Sequence, residues 1–563
     1  MATWADIQTW TPDPLLETGR ALTDQRTRLV RAAKDADAAR SRIQSTGETA
    51  DSMRASLDAR IAELDRTVND VSELIMATAE FQDEVADIRT LVQDCHDQAA
   101  EATPPLVIAS DGGVTWKPSG TPPQYGPYQP ATDPNRFKAM DLAQDITAAV
   151  ESATRADTAY SKRLTAVRNG TYRSTEDHDS ASPGLPNLPQ KGWSPAEVSA
   201  WWNALSPQER EKIIHDHPDA VGNLDGIDMA SRDQANRLRL PAMLDQAQDD
   251  YDKAAADALA AARSGDDAKL AAASAAMAAA RKRLTDLTAV KDALANGSDR
   301  HLLLLDQSGE RLKAAVASGD VDHAAHVATF VPGMTTTVGT NLDGYTRDME
   351  ALRDQTMHTT GASRSDVATI AWLGYDAPGW DLGVAGTGKA QAGADRLAPF
   401  LEGIQSSREA SGAGDPHQTL LGHSYGSTTS GLAMKQVQGD TVDDFVMFGS
   451  PGSGAQDLRE YNIDPHHVYV SAVPQGDAVQ GIGPDAWFGK NPAKLDGIQH
   501  LSGDATASAR YDDTPTWQRS LEHAVFPWTN VTDPSNPFVN HSTYLDDGTE
   551  TQKDFARVVG GAK

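Results

Sequence analysis

A single cysteine, Cys95, among 563 residues excludes any intramolecular disulfide, so the redox compartment cannot be read from the chain. Basic residues are also scarce. Fifty Lys and Arg stand against 80 Asp and Glu, a formal net charge of -30. With no cationic surplus to neutralise phosphates, nucleic-acid binding is excluded as the main activity. No apolar run approaches the ~20 residues needed to cross a bilayer, and the start, Met1-Ala2-Thr3-Trp4-Ala5-Asp6, has neither a basic segment nor an apolar one. The expectation is a soluble chain, cytoplasmic or exported without a cleavable leader. A Gly-Lys-Ser/Thr phosphate loop and a dinucleotide fingerprint are missing too. His215-Asp216-His217 has no companion cluster at ligand spacing and is followed by Pro218, so no metal is expected.

The length implies two to four domains. Residues 1–101 read as a helical hairpin. Leu15, Leu22 and Leu29 recur at heptad spacing, and Met53, Leu57, Ile61, Leu64, Val68, Val71 and Ile75 step by three and four. Ser45-Thr46-Gly47 breaks the two helices. A Pro/Gly-rich linker is expected at 102–135, a helical segment at 136–170 and a second linker at 171–192. Within a helical region at 193–299, Ser194-Pro195-Ala196-Glu197 and Ser206-Pro207-Gln208-Glu209 each combine a capping serine, a first-turn proline and a glutamate that can reach back. Trp201 and Trp202 on the first of these helices read as packing anchors. An Ala/Asp-rich helical hairpin turns near Ser264-Gly265-Asp266.

From 300 to 563 the pattern becomes α/β. A hairpin from His301 to Ala317 is followed by apolar runs at 327–331, 367–373, 419–421, 445–448 and 468–473, with helical stretches between. That alternation predicts a mostly parallel sheet covered by helices on both faces.

Gly422-His423-Ser424-Tyr425-Gly426 is the one G-x-S-x-G in the chain. Chance supplies such a match about once in several chains of this length, so context decides. Gln418–Leu421 reads as a strand and Ser427–Met434 as a buried helix, the setting of a serine on a sharp strand-to-helix turn, with Gly422 and Gly426 letting the two elements approach. A serine hydroxyl needs a base and the base an orienting acid, in the chain order Ser, acid, His. Asp477 follows the run at 468–473, at a strand's carboxyl end where catalytic groups of open sheets gather. Asp444 begins a strand and therefore lies at the other edge; Asp485 is a further rival. Among the downstream histidines, His523 reads as helical and His500 as a loop residue close behind the acid. His541 lies between the last strand and the final helix, where it can swing over the serine. His423, pointing away from the hydroxyl, is expected to be structural. The oxyanion donors expected are the backbone N–H groups of Tyr425 and of Met334, the latter in the loop Val331-Pro332-Gly333-Met334.

These residues resemble the actinobacterial α/β-hydrolase family long labelled DUF1023. The likeness covers roughly 190–547 and rests on Trp201-Trp202-Asn203-Ala204-Leu205, Val221–Ile227, Arg232-Asp233, Asn236-Arg237, Val331–Met334, Gly422–Ser427, Gly449-Ser450-Pro451-Gly452 and Asp477. It implies an α/β-hydrolase fold with a Ser–Asp–His triad and leaves the substrate open. The N-terminal helices resemble WXG100-type hairpins of type VII secretion, although Ser45-Thr46-Gly47-Glu48 stands where a Trp-x-Gly turn belongs, and Tyr172-x-x-x-Glu176 faintly resembles an export signal. The expected activity is therefore a cofactor-free carboxylic-ester hydrolase acting on a small-molecule or lipid ester. The alternative is an interaction protein that binds a protein partner through its N-terminal helices and carries a secondary or inactive hydrolase fold.

Overall fold

The structure is a computed structural model that describes residues 2–116, 134–171, 188–189, 192–264, 266–379, 387–472, 477, 479–480, 485–502, 541 and 543–561. The residues Tyr172 to Glu176, His523, and those flanking Asp477 and His541 in the sequence motifs lie outside this set. The chain divides into two compact units, Met1–Arg210 and Glu211–Lys563.

The first unit is helical: α1 (Trp4–Ile7), α2 (Asp13–Ser41), α3 (Glu48–Glu101), α4 (Pro134–Asn169), α5 (Pro195–Ala204) and the start of α6 (Pro207–Asp216). Helices α2 and α3 form the expected hairpin, and α3 also packs on α4 and α5. The apolar stripe of α3 accordingly splits at Val68. Beyond it Val68, Val71, Ile75, Val85, Ile88 and Val92 are buried, while Met53 near the hairpin turn is 57% exposed. Both S-P-x-E segments cap as predicted, with Ser194 Oγ accepting from Glu197 N (3.1 Å) and Ser206 N donating to Glu209 (2.6 Å). Trp201 and Trp202 are fully buried. The linker read over 102–135 contains structure that composition concealed. Strands β1 (Leu106–Ile108) and β2 (Val114–Trp116) pair antiparallel across an Asp111-Gly112-Gly113 turn in which Gly112 takes φ 85°.

The second unit begins with α7 (Pro218–Val221) and a helical pair, α8 (Met229–Ser264) and α9 (Asp267–Ala295). Its sheet holds β3 (Arg300–Asp306), β4 (Lys313–Ser318), β5 (His326–Val331), β6 (Val367–Leu373), β7 (His417–His423), β8 (Asp444–Phe448), β9 (Val468–Ser471) and β10 (Gln499–His500), in the order β10-β9-β8-β7-β5-β6-β4-β3. Neighbours from β6 to β10 pair parallel, whereas β4 pairs antiparallel with both β6 and β3. His500, expected in a loop, instead ends the edge strand beside β9. The covering helices are α10 (Val338–Thr360), α11 (Gly388–Ser411), α12 (Tyr425–Ala433), the short α13 (Asp485–Phe488) and α14 (Glu550–Val559).

Two apolar clusters flank the strands. One joins them to Leu397, Phe400, Leu401 and Ile404 of α11. The other joins them to Leu287 and Val290 of α9, Leu342, Met349 and Leu352 of α10, and Phe555 and Val559 of α14. Being covered on both faces is why β6 is buried at every position. Each such large apolar side chain contributes about 1.5–3 kcal/mol by leaving water, so the sheet is a stiff platform for the loops at its carboxyl edge. No helix among the described residues is long and apolar enough to cross a membrane.

Candidate active site

The site begins where β7 runs out. Ser424 follows its last residue and takes φ 55°, ψ -131°, a positive φ that is rare outside glycine. Such a residue persists only where its surroundings enforce the turn. Ser424 N donates to Phe448 O on β8 (3.0 Å), and Ser427 N and Oγ return to Ser424 O (3.0 and 2.5 Å). The flanking glycines are steric requirements. A β-carbon on Gly422 would meet Ser427 Cα at 2.7 Å, and one on Gly426 would meet Val331 O at 2.2 Å and Pro332 O at 2.5 Å. Tyr425 opens α12, so its N–H lies in the first turn of that helix, directly after Ser424.

The loop after β5 lies against this turn. A β-carbon on Gly333 would come within 2.5 Å of Ser424 Cβ and 2.8 Å of its Oγ, so only glycine lets the main chain approach so closely. Tyr375 donates its hydroxyl to Pro332 O (2.7 Å), and Thr335 N donates to Pro378 O (2.7 Å). Thr335 takes φ 62° directly after Met334. The Met334 main chain thus lies between two pinned residues, Pro332 and Thr335, in the loop that approaches Ser424.

Asp477 and His541, 64 residues apart, are brought together. His541 Nδ1 lies 3.0 and 3.1 Å from the two Asp477 carboxylate oxygens. The Asp477 side chain is fully buried and that of His541 is 15% exposed. Val479 N donates to Asp477 Oδ1 (2.8 Å) and Tyr544 Oη to Oδ2 (2.9 Å). Burial alone would raise this carboxyl. The adjacent imidazole and the hydrogen bonds outweigh it, holding Asp477 below the usual carboxylate range and so ionised. With Nδ1 turned to the acid, the Nε2 of His541 is the ring nitrogen left for other chemistry.

The pair sits beside the serine turn. Gly449 directly follows Phe448, the residue that accepts from Ser424 N, and takes φ 54°. A β-carbon there would lie 2.9 Å from both Asp477 Oδ2 and His541 Nδ1. The His423 ring lies against that of His541, tilted by 33° with centroids 4.6 Å apart. Asp444, in contrast, starts β8 at the opposite edge, bound to His417 and His467. Asp485 opens α13, and exposed His500 ends β10. His215 makes only a local contact with Asp216, and among the described residues no three His, Cys, Asp or Glu are grouped to hold a metal.

Sequence reasoning assigned no role to Gly449 or Tyr544. Glycine immediately after an apolar strand, in Gly449-Ser450-Pro451-Gly452, was the available signal for the first. For Tyr544 there was none, because an aromatic three residues after a histidine is ordinary core material.

A family model described as alpha/beta hydrolase matches residues 307–485. The uncharacterized protein Rv2079 of Mycobacterium tuberculosis is 31% identical over 301 residues, 51% of this chain and 44% of that protein. The uncharacterized protein Mb0988c of Mycobacterium bovis is 33% identical over 226 residues, 39% of this chain and 83% of that protein. The chain thus spans less than half the length of the first relative and most of the second. The matched stretch contains β4 to β9 and the Ser424 turn, and on the sheet order and these similarities together the chain carries an alpha/beta hydrolase domain.

Proposed function

We propose that this protein is a serine hydrolase acting on carboxylic esters through an acyl-enzyme, with Ser424 as nucleophile, His541 as base and Asp477 as the orienting acid. The observation that carries the reading is the buried Asp477–His541 pair packed on Gly449, one residue beyond the main-chain partner of Ser424.

Ser424 Oγ attacks the ester carbonyl while His541 Nε2 takes its proton. Ionised Asp477 holds the Nδ1–H and stabilises the imidazolium. The oxygen that gains charge is received by the N–H groups of Tyr425 and Met334, donors fixed before the reaction begins. The tetrahedral adduct collapses as His541 returns the proton to the departing alcohol, leaving an ester on Ser424. Water, activated by the same imidazole, then releases the acid and restores the hydroxyl. Protein groups and water suffice for both halves.

Hydrolysis of p-nitrophenyl esters of graded acyl length tests the reading. The wild type turns over at least the short esters, and Ser424→Ala lowers kcat by about 10⁴-fold or more. Equal rates in a folded Ser424→Ala protein would contradict it, and favour a chain that works through its helical unit instead.

A further inference from the structure

We propose that His423 and Tyr544 are a pair of positioning residues: His423 tethers the main chain of His541 to the serine's own strand, and Tyr544 fixes the carboxylate of Asp477. This rests on the hydrolase reading above and deepens it.

His423 is the residue immediately before Ser424 and the last of β7. Its Nε2 lies 2.8 Å from His541 O, 118 positions away in sequence. A carbonyl can only accept, so Nε2 carries the hydrogen and donates. The ring is packed, with centroids 5.0 Å from Phe448 and 4.6 Å from His541. Burial first, and the neighbouring His541 second, push its pKa down to about 3. His423 is therefore neutral at any pH where an ester hydrolase of this type works. It is unable to serve as a competing base and holds its donor without titrating.

The relative position of nucleophile and base depends on how the segment carrying His541 sits over β7. A tether from the adjacent residue of the serine's own chain sets that position through a single side chain. One from any other element would add its own tolerances.

Tyr544 acts on the third member. Three residues after His541, 1% exposed, it donates to Asp477 Oδ2 while Val479 N occupies Oδ1. The carboxylate is thus gripped at both oxygens and cannot rotate away from the imidazole. Tyr544 is itself secured, since Thr551 Oγ1 in α14 donates to its carbonyl (2.7 Å) and its ring lies 5.4 Å from that of Phe448.

Packing and hydrogen-bond donation are separable by substitution. His423→Phe keeps a ring between Phe448 and His541 but removes the donor, whereas His423→Gln keeps an amide donor. With p-nitrophenyl butyrate as substrate, His423→Phe is expected to lower kcat by about 10–100-fold with KM within about twofold, the penalty for a misplaced reacting group. His423→Gln recovers most of that loss. Tyr544→Phe lowers kcat by a smaller factor and moves the acid limb of the pH–kcat/KM profile to higher pH, because a carboxylate stripped of a donor is more basic and holds the imidazolium more firmly.

Wild-type kcat in folded His423→Phe, a Gln variant no better than Phe, or an unmoved acid limb in Tyr544→Phe would each overturn the assignment. If His423→Phe does not fold, His423→Leu against His423→Gln makes the same comparison. Ser424→Ala run in parallel separates the two levels. If it abolishes turnover while the His423 variants are unaffected, the positioning pair alone fails. If it leaves turnover intact, the hydrolase reading itself fails.

Discussion

Strand β7 carries a histidine at each end, and each belongs to a histidine–aspartate cluster. At the amino edge His417 Nε2 lies 2.8 Å from one oxygen of Asp444, His467 Nδ1 lies 2.8 Å from the other, and His326 meets the His417 ring at 5.6 Å. At the carboxyl edge His541 and Asp477 make a comparable contact at 3.0 Å. What differs is the company. Asp444 spends both oxygens on imidazoles, binding neighbouring strands together. Asp477 meets a single imidazole, whose Nδ1 lies 3.0 and 3.1 Å from its two oxygens, and takes its other hydrogen bonds from neutral donors, Val479 and Tyr544, so Nε2 of His541 stays available. A serine at positive φ and a glycine loop pressed against it stand at the carboxyl edge alone among these elements. A buried histidine–carboxylate pair is therefore not diagnostic of chemistry. What separates the two edges is the strained turn beside the second pair.

The sharpest way to break this comparison is to neutralise each acid. Asp477→Asn is expected to lower kcat by about 10³–10⁴-fold, because the imidazole loses both its tautomer control and its counter-charge. Asp444→Asn should leave kcat of the folded protein within about twofold and cost about 1–3 kcal/mol in urea unfolding. Activity loss in both, or in neither, would erase the distinction between the edges.

A smaller effect is expected at the seat of the carboxyl pair. Gly449→Ala forces alanine into φ 54° and sets its β-carbon 2.9 Å from both members of the pair. Turnover should fall by about 10²-fold, with a stability cost of about 1–2 kcal/mol from the left-handed backbone. Unchanged kcat would mean that the pair tolerates displacement and that its placement on Gly449 is incidental.

The smallest effect concerns the amino edge and pH. Burial opposes the charge on His417, but Asp444 and Asp443 prevail and raise its pKa. A raised folded pKa contributes stability that is fully present below the unfolded histidine value of about 6.5 and is lost as pH rises through the folded value. His326 has the opposite sign. Burial and the neighbouring His417 depress its pKa, so its contribution is present above about 6.5 and is lost as pH falls. In thermal melts, His417→Gln should therefore be less stable than wild type by a margin that shrinks from pH 6 to pH 8, with kcat unaltered. A margin that grows with pH would reverse the assigned sign.

Much of this was legible in the order of residues, for identifiable reasons. Period and capping chemistry are local, so the α2–α3 hairpin, the two S-P-x-E caps and the alternation of the sheet could be read directly. The location of Asp477 beyond β9 could be read because a strand's direction fixes which end carries the loop, and the same reasoning put Asp444 at the other edge. Other features depend on tertiary approach. The β1–β2 hairpin lies within a proline-rich stretch whose composition masks three-residue strands. Helix α5, read with the helices that follow it, belongs to the compact unit ending at Arg210. Gly449 and Tyr544 matter only because β8 and the α14 approach converge on Asp477. No spacing along the chain encodes that meeting.

The central claim is that Ser424 is a nucleophile activated by the Asp477–His541 pair. Treatment of the folded 563-residue chain with a fluorophosphonate, followed by intact-mass and peptide mass spectrometry, tests it directly. The account predicts one adduct per chain, on the peptide containing Ser424, formed far more slowly in Asp477→Asn. An unmodified protein, or an adduct on another residue at an undiminished rate in Ser424→Ala, would contradict it.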